Sequence, residues 1–257
     1  MLLVLLACSG GDATPVDSGD VDRRPVFDDS GEVVPTGVIS GVVHGPDGAP
    51  RVGADVQICD HVCIPLTTGE GGTFRRDALP AGSYKVDALG ESAEGADLGH
   101  ARVHVDLADG AQVAIAEPLY LPRMEAAQTL TSSGRHVFGS VAWTVDPATL
   151  EVPFGVEAGT FRVGVVPADA ARPWWDARTP AGAVAFLPFG TEVGAPFTVE
   201  VAGTWLSASY DVYAVDDKGR LEGPLATASV SGTGTAAVLR ATVQPTLLTW
   251  LVFYAAP

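Results

Sequence analysis

Between Val38 and Gly90 apolar and polar residues alternate in short runs separated by turn residues, a period of two that only a half-buried strand satisfies. In Ala54–Cys59 the residues Ala54, Val56 and Ile58 share one face, while Asp55, Gln57 and Cys59 share the other. The same reading puts Tyr84, Val86 and Ala88 inward, and further on Ala101, Val103, Val105 and Leu107. Gly45-Pro46-Asp47-Gly48, Glu70-Gly71-Gly72 and Leu79-Pro80-Ala81-Gly82 supply the turns between strands. No nucleophile with its base, phosphate cradle or metal cage lies in this stretch. It predicts scaffold.

The rest of the composition agrees. With 30 Gly and 19 Pro at irregular spacing and 47% hydrophobic residues, the chain predicts many short strands and a real core. Its 257 residues suffice for two domains, each able to bury a core. The fold class is all-β: two tandem β-sandwiches, the second with strand spacings of an immunoglobulin-like kind, behind a disordered acidic tether. Net charge is -16, so the molecule's field repels phosphate backbones, and nucleic acid is excluded as a partner. No apolar run approaches the roughly 20 residues that a spanning helix needs.

In order, Gly41-Val42-Val43, Asp47-Gly48-Ala49-Pro50, Gly53-Ala54-Asp55-Val56, Thr67-Thr68, Gly72-Thr73-Phe74 and Leu79-Pro80-Ala81-Gly82-Ser83-Tyr84 resemble the carboxypeptidase regulatory-like domain. That resemblance covers about a third of the chain and implies a small transthyretin-like β-sandwich with no catalytic role. No zinc-peptidase helix motif accompanies it.

At the amino terminus Met1–Ala7 is apolar and stops at Cys8, and Leu5-Leu6-Ala7-Cys8 resembles a bacterial lipobox. The resemblance implies that Cys8 is lipidated and becomes the first residue; acyl chains at about 0.8 kcal/mol per buried methylene then hold the protein on a membrane. No Lys or Arg precedes the apolar run, so the expectation is a leader that starts further upstream. Ser9 after Cys8 implies sorting to an outer membrane, again by resemblance to bacterial lipoproteins. Residues 9–36 carry seven acidic residues against Arg23 and Arg24 among Gly, Pro and Ser, the composition of a flexible spacer. The expected organisation is therefore a signal segment over 1–8, an acidic linker over 9–36, a first sandwich over 37–122 and a second over 123–257. The second repeats the element order of the first, with Gly139-Ser140-Val141, Pro196-Phe197-Thr198 and Ser209-Tyr210-Asp211-Val212 as parallels, which reads as a diverged copy.

Few residues offer chemistry. If Ala54–Cys59 and Val62–Thr68 form a hairpin, Cys59 and Cys63 face each other and a disulfide fits, in keeping with export. The rival is a metal site of Cys59, His61 and Cys63, which lacks a distant fourth ligand. His100 and His104 have helical chelate spacing, but on a strand they stand about 13 Å apart, and with Arg102 and Asp106 they form an exposed polar face. Asp216–Glu222 resembles a degraded calcium turn in which Lys218 and Arg220 occupy oxygen-ligand places, so it reads as a plain turn. Trp174 and Trp175 are adjacent in a Pro-rich loop and cannot both face one core, which makes them candidates for ligand binding.

The function expected from the sequence is a non-enzymatic, lipid-anchored cell-envelope protein that binds or assembles with an envelope protein or glycan and needs no cofactor or metal. The alternative is a carbohydrate-binding accessory module using Trp174 and Trp175. A hydrolase is the remote third reading, since the chain has neither a Gly-x-Ser-x-Gly elbow nor a His-Glu-x-x-His run.

Overall fold

A computed structural model describes residues 26–27, 33–34, 36–90, 97–170 and 178–257; the expected lipidation residue Cys8 and the pair Trp174 and Trp175 lie outside the described residues. Strands and turns make up the described chain, with three single-turn 3-10 helices at Glu70–Gly72, Pro147–Thr149 and Gly234–Ala236. Among the described residues no helix is long and apolar enough to cross a membrane. Ahead of the first sandwich, Val26–Phe27 (β1) pairs antiparallel with Val33–Val34 (β2).

The first sandwich uses Gly37–His44 (β3), Asp55–Cys59 (β4), Cys63–Thr67 (β5), Thr73–Leu79 (β6), Gly82–Leu89 (β7), Ala101–Leu107 (β8), Gln112–Ala114 (β9) and Leu119–Tyr120 (β10). One sheet runs β5-β4-β7-β8; the other runs β10-β3-β6, with β9 also parallel to β3. Every residue assigned inward from its alternation is buried: Ala54, Val56 and Ile58; Tyr84, Val86 and Ala88; and Ala101, Val103, Val105 and Leu107. The residues that carry the family resemblance have packing and hydrogen-bonding work. A Cβ on Gly41 would lie 2.6 Å from Phe74 Cζ, so the missing side chain makes room for the ring. The Tyr84 hydroxyl donates to the Pro80 carbonyl at 2.7 Å and closes the turn before β7. Thr68, buried, donates to the Arg51 carbonyl and accepts from the Ala54 amide at 2.9 Å, joining the ends of β4 and β5.

The second sandwich uses Gln128–Thr129 (β11), Gly134–Phe138 (β12), Val141–Val145 (β13), Leu150–Glu151 (β14), Thr160–Val166 (β15), Gly182–Leu187 (β16), Thr191–Val193 (β17), Phe197–Gly203 (β18), Ser209–Val215 (β19), Leu221–Ser231 (β20), Ala237–Val243 (β21), Leu247–Leu248 (β22) and Trp250–Ala255 (β23). Ten of them form one sheet in the order β11-β15-β16-β23-β19-β20-β21-β18-β13-β12, and β14-β17-β22 make a small sheet beside it. The long β20 carries the sheet around its bend, pairing with β19 along most of its length and with β21 at its end. Inside, Trp143 is fully buried, with Phe161, Phe186 and Phe197 edge-on at 5.5, 5.3 and 5.7 Å. The pairing of β13 with β18 parallels that of β3 with β6. However, β18 pairs onward with β21, whereas β6 ends its sheet.

The two sandwiches share a core. β16 and β23 are apolar at consecutive positions because both of their faces are covered. Val184, Phe186, Leu251 and Phe253 point into the second sandwich. Ala183, Ala185, Leu187, Trp250, Val252 and Tyr254 join the apolar cluster of the first. This corrects the expectation of an exposed polar face on β8 at Arg102 and His104, while Asp106, at 71%, is exposed as expected. Arg102 is 11% exposed and His104 14%, because the second sandwich lies over them.

Candidate functional site

Two polar groupings stand out, one holding the molecule together and one left open. The first begins on β7 and β8. Arg102 donates to Asp87 through Nε at 2.6 Å and through Nη2 at 3.0 Å, a bidentate pair between registered strands. The Phe189 ring, from the second sandwich, covers the guanidinium at 4.7 Å. Trp250 Nε1 donates to the His100 carbonyl at 2.7 Å. The turn after β19 completes the contact. Asp216 Oδ1 accepts from the amides of Lys218 and Arg220, which fixes a tight turn rather than a metal loop. Its tip, Gly219 at φ 82°, has a Cβ position 2.5 Å from the Val103 carbonyl carbon, so only glycine lets the turn seat on β8. The His104 amide donates to the Gly219 carbonyl at 3.2 Å.

The open grouping is a cleft of about 1140 Å³ between the small sheet β14-β17-β22 and the turn after β19. Glu151, Glu192, Asp216, Asp217 and Glu222 line it with Thr246, and no Lys or Arg does. Asp216 is engaged by its own turn, and Glu222 accepts from the amide and hydroxyl of Thr246 at 3.2 and 2.9 Å. Glu151 and Glu192 stand directly opposite each other across β14 and β17, both exposed. Like charges so placed repel, and they give the cleft a field that suits a cationic group. Sequence spacing does not reveal this grouping, because its carboxylates come from well-separated segments that only the fold brings together.

Elsewhere, Ser83 Oγ and His104 Nε2 lie at 2.5 and 2.9 Å from Asp106 Oδ1. Those hydrogen bonds, with the charge of Arg220 nearby, hold the Asp106 carboxyl below the usual carboxylate range. Burial pushes the Tyr84 hydroxyl up, helped by Asp60; burial also raises Tyr120, with Asp169 and Asp47 adding to it.

Cys59 and Cys63 are joined in a disulfide across the β4–β5 hairpin, with Cα atoms 4.0 Å apart in opposed register. The His61 side chain, in the loop between them, is 96% exposed. The disulfide takes both thiols from the rival metal set, and among the described residues no other cluster of three metal-binding side chains occurs.

No protein-family model and no curated protein matches the sequence. Similarity to solved structures is low in identity and in TM-score. The Bacillus anthracis TIE protein is 11% identical at a TM-score of 0.30, over 81% of this chain and 43% of its own. BcpA, the major pilin subunit of Bacillus cereus, is 10% identical at 0.30, over 85% and 57%. A DUF3823 family protein from Bacteroides ovatus is 8% identical at 0.27, over 84% and 100%. The chain thus spans about half the length of the two Bacillus proteins.

Proposed function

We propose that this chain is a non-catalytic binding or assembly module, anchored in a bacterial cell envelope by lipid on Cys8. The observation that carries the reading is how the buried charged and aromatic side chains are used. Arg102, Asp87, Phe189, Trp250 and the turn at Gly219 lock two sandwiches into one body. The acidic cleft is open, and its carboxylates suit a cationic segment of a partner protein. The Cys59–Cys63 disulfide supports an oxidising, exported location. In this reading the first sandwich is a carboxypeptidase regulatory-like module, and residues 9–36 set it off from an outer membrane.

Affinity capture from solubilised envelopes, run with the wild-type chain and with Cys8→Ala, tests the anchor and the partner together. The wild type should fractionate with membranes, incorporate labelled fatty acid and retain a partner that elutes with salt. Cys8→Ala should lose the label and the membrane fraction. Equal fractionation of both chains overturns the anchor, and turnover in ester, peptide or glycoside panels overturns the non-catalytic assignment.

A second reading, carbohydrate binding, is favoured by the adjacent Trp174 and Trp175. It requires glycan-array hits that Trp174→Ala abolishes; hits that survive this change assign the binding elsewhere.

A further inference from the structure

His104 Nε2 lies within hydrogen-bond distance of two groups that make opposite demands on it. It is 2.9 Å from Asp106 Oδ1, on its own strand, and 2.7 Å from Arg220 Nη2, on the turn that the second sandwich seats on β8. A carboxylate only accepts and a guanidinium only donates. One ring nitrogen therefore serves one of them at a time: with a free lone pair it accepts from Arg220 and ties the two sandwiches together. With a proton it donates to Asp106, a bond inside the first sandwich, and presents an N–H and a positive charge to Arg220.

The surrounding charges leave this competition in place. On β7, Lys85 stands opposite His104 and reaches Asp87 at 3.7 Å, and Ser83 stands opposite Asp106. On β8, Arg102 is engaged by Asp87. Glu117, after β9, lines the same small concavity as His104 and Asp106. From the turn, Asp216 is held by its own backbone, Asp217 and Lys218 offset each other in charge, and Arg220 is also 3.9 Å from Asp106. Asp106 of the first sandwich and Arg220 of the second thus compete for the one ring nitrogen.

We propose that His104 is a pH-sensitive clasp: taking up a proton at Nε2, it exchanges its bond to Arg220 for one to Asp106 and loosens the docking of the second sandwich on β8. The sign follows from the exchange. The tie to Arg220 needs the ring nitrogen unprotonated and is lost when it takes up a proton. A module that passes into an acidified compartment or surface layer would then be held at this seam by the shared apolar core without this tie.

Hydrogen exchange on the full chain tests this, read at the His104 amide, which donates to Gly219, and at the Trp250 indole N–H, which donates to the His100 carbonyl. After correction for intrinsic rates, exchange at both groups should rise about tenfold between about pH 7.5 and about pH 5.5, the size of losing one charge-assisted bond. His104→Gln serves Arg220 through its oxygen and Asp106 through its nitrogen without titrating, so it should stay protected at both pH values. Arg220→Met should show the higher exchange at both. Equal protection of the wild type across the range overturns the clasp, as does a pH step that survives in His104→Gln. If either variant fails to fold, the wild-type ring nitrogen shifts decide alone. An unprotonated Nε2 at about pH 7.5 supports the clasp, and an Nε2–H already bonded to Asp106 there overturns it.

Discussion

Gly41 and Phe74 show how a fold signature works at the level of single residues. The ring of Phe74 occupies the space above the Gly41 backbone, so any side chain at position 41 must push it aside. Gly41→Val should therefore cost about 1–3 kcal/mol through overpacking, read as a lower urea midpoint at unchanged slope. Tyr84→Phe removes the hydroxyl that closes the turn at Pro80 and keeps the ring; it should cost about 1 kcal/mol. A neutral result for Tyr84→Phe would mean that the turn closes without that bond. These residues were legible in the sequence as a pattern, because alternation and turn chemistry are local. Their individual tasks were not, because the pattern does not say that Phe74 rests on Gly41 or that Thr68 joins two strand ends.

At the scale of elements, the β4–β5 hairpin, strand β8 and the small sheet make separable predictions. Reducing Cys59–Cys63, or replacing both with Ser, frees a ring of a few residues and should destabilise the chain by about 2 kcal/mol by loop-closure entropy, measured by denaturation with and without reductant. On β8, Asp106 has a folded-state pKa held below its unfolded value by Ser83, His104 and Arg220. Its contribution is present in full above the ordinary carboxylate range and is lost as pH falls through the depressed folded value. Asp106→Asn should thus flatten the acid limb of the stability curve, and an unchanged limb would remove Asp106 from it. On the small sheet, Glu192→Lys turns the like-charged pair with Glu151 into an opposite one and should stabilise by about 0.2–1 kcal/mol, more at low salt than at high. Strand β8 also marks where sequence reasoning stops. Its polar residues alternate as a solvated face would, and only the arrival of a second body distinguishes the covered Arg102 and His104 from the exposed Asp106. The signal that a second body existed lay elsewhere, in Ala183–Leu187 and Trp250–Tyr254, apolar without alternation and so covered on both sides.

For the whole molecule, what matters is that one apolar cluster contains residues from both sandwiches, so the stability of each depends on the other. Phe189 is the sharpest probe of that dependence, because it touches Arg102 and His100 of the first sandwich from a loop of the second. Phe189→Ala removes the cover over the Arg102–Asp87 pair without altering either sandwich's internal face, and should weaken the coupling by about 2 kcal/mol, the scale of a desolvated cation–π contact. The wild type should then melt in a single calorimetric transition whose enthalpy matches the van't Hoff value, and Phe189→Ala should split it in two. Reduction of Cys59–Cys63 adds a second handle, since that disulfide lies wholly within the first sandwich. In the wild type, reduction should lower the melting temperature reported by Trp143, at the centre of the second sandwich. In Phe189→Ala the same reduction should leave the Trp143 signal where it was. Two wild-type transitions, or a Trp143 signal indifferent to reduction before the interface is cut, would mean that the shared cluster joins the sandwiches in space without joining their stability.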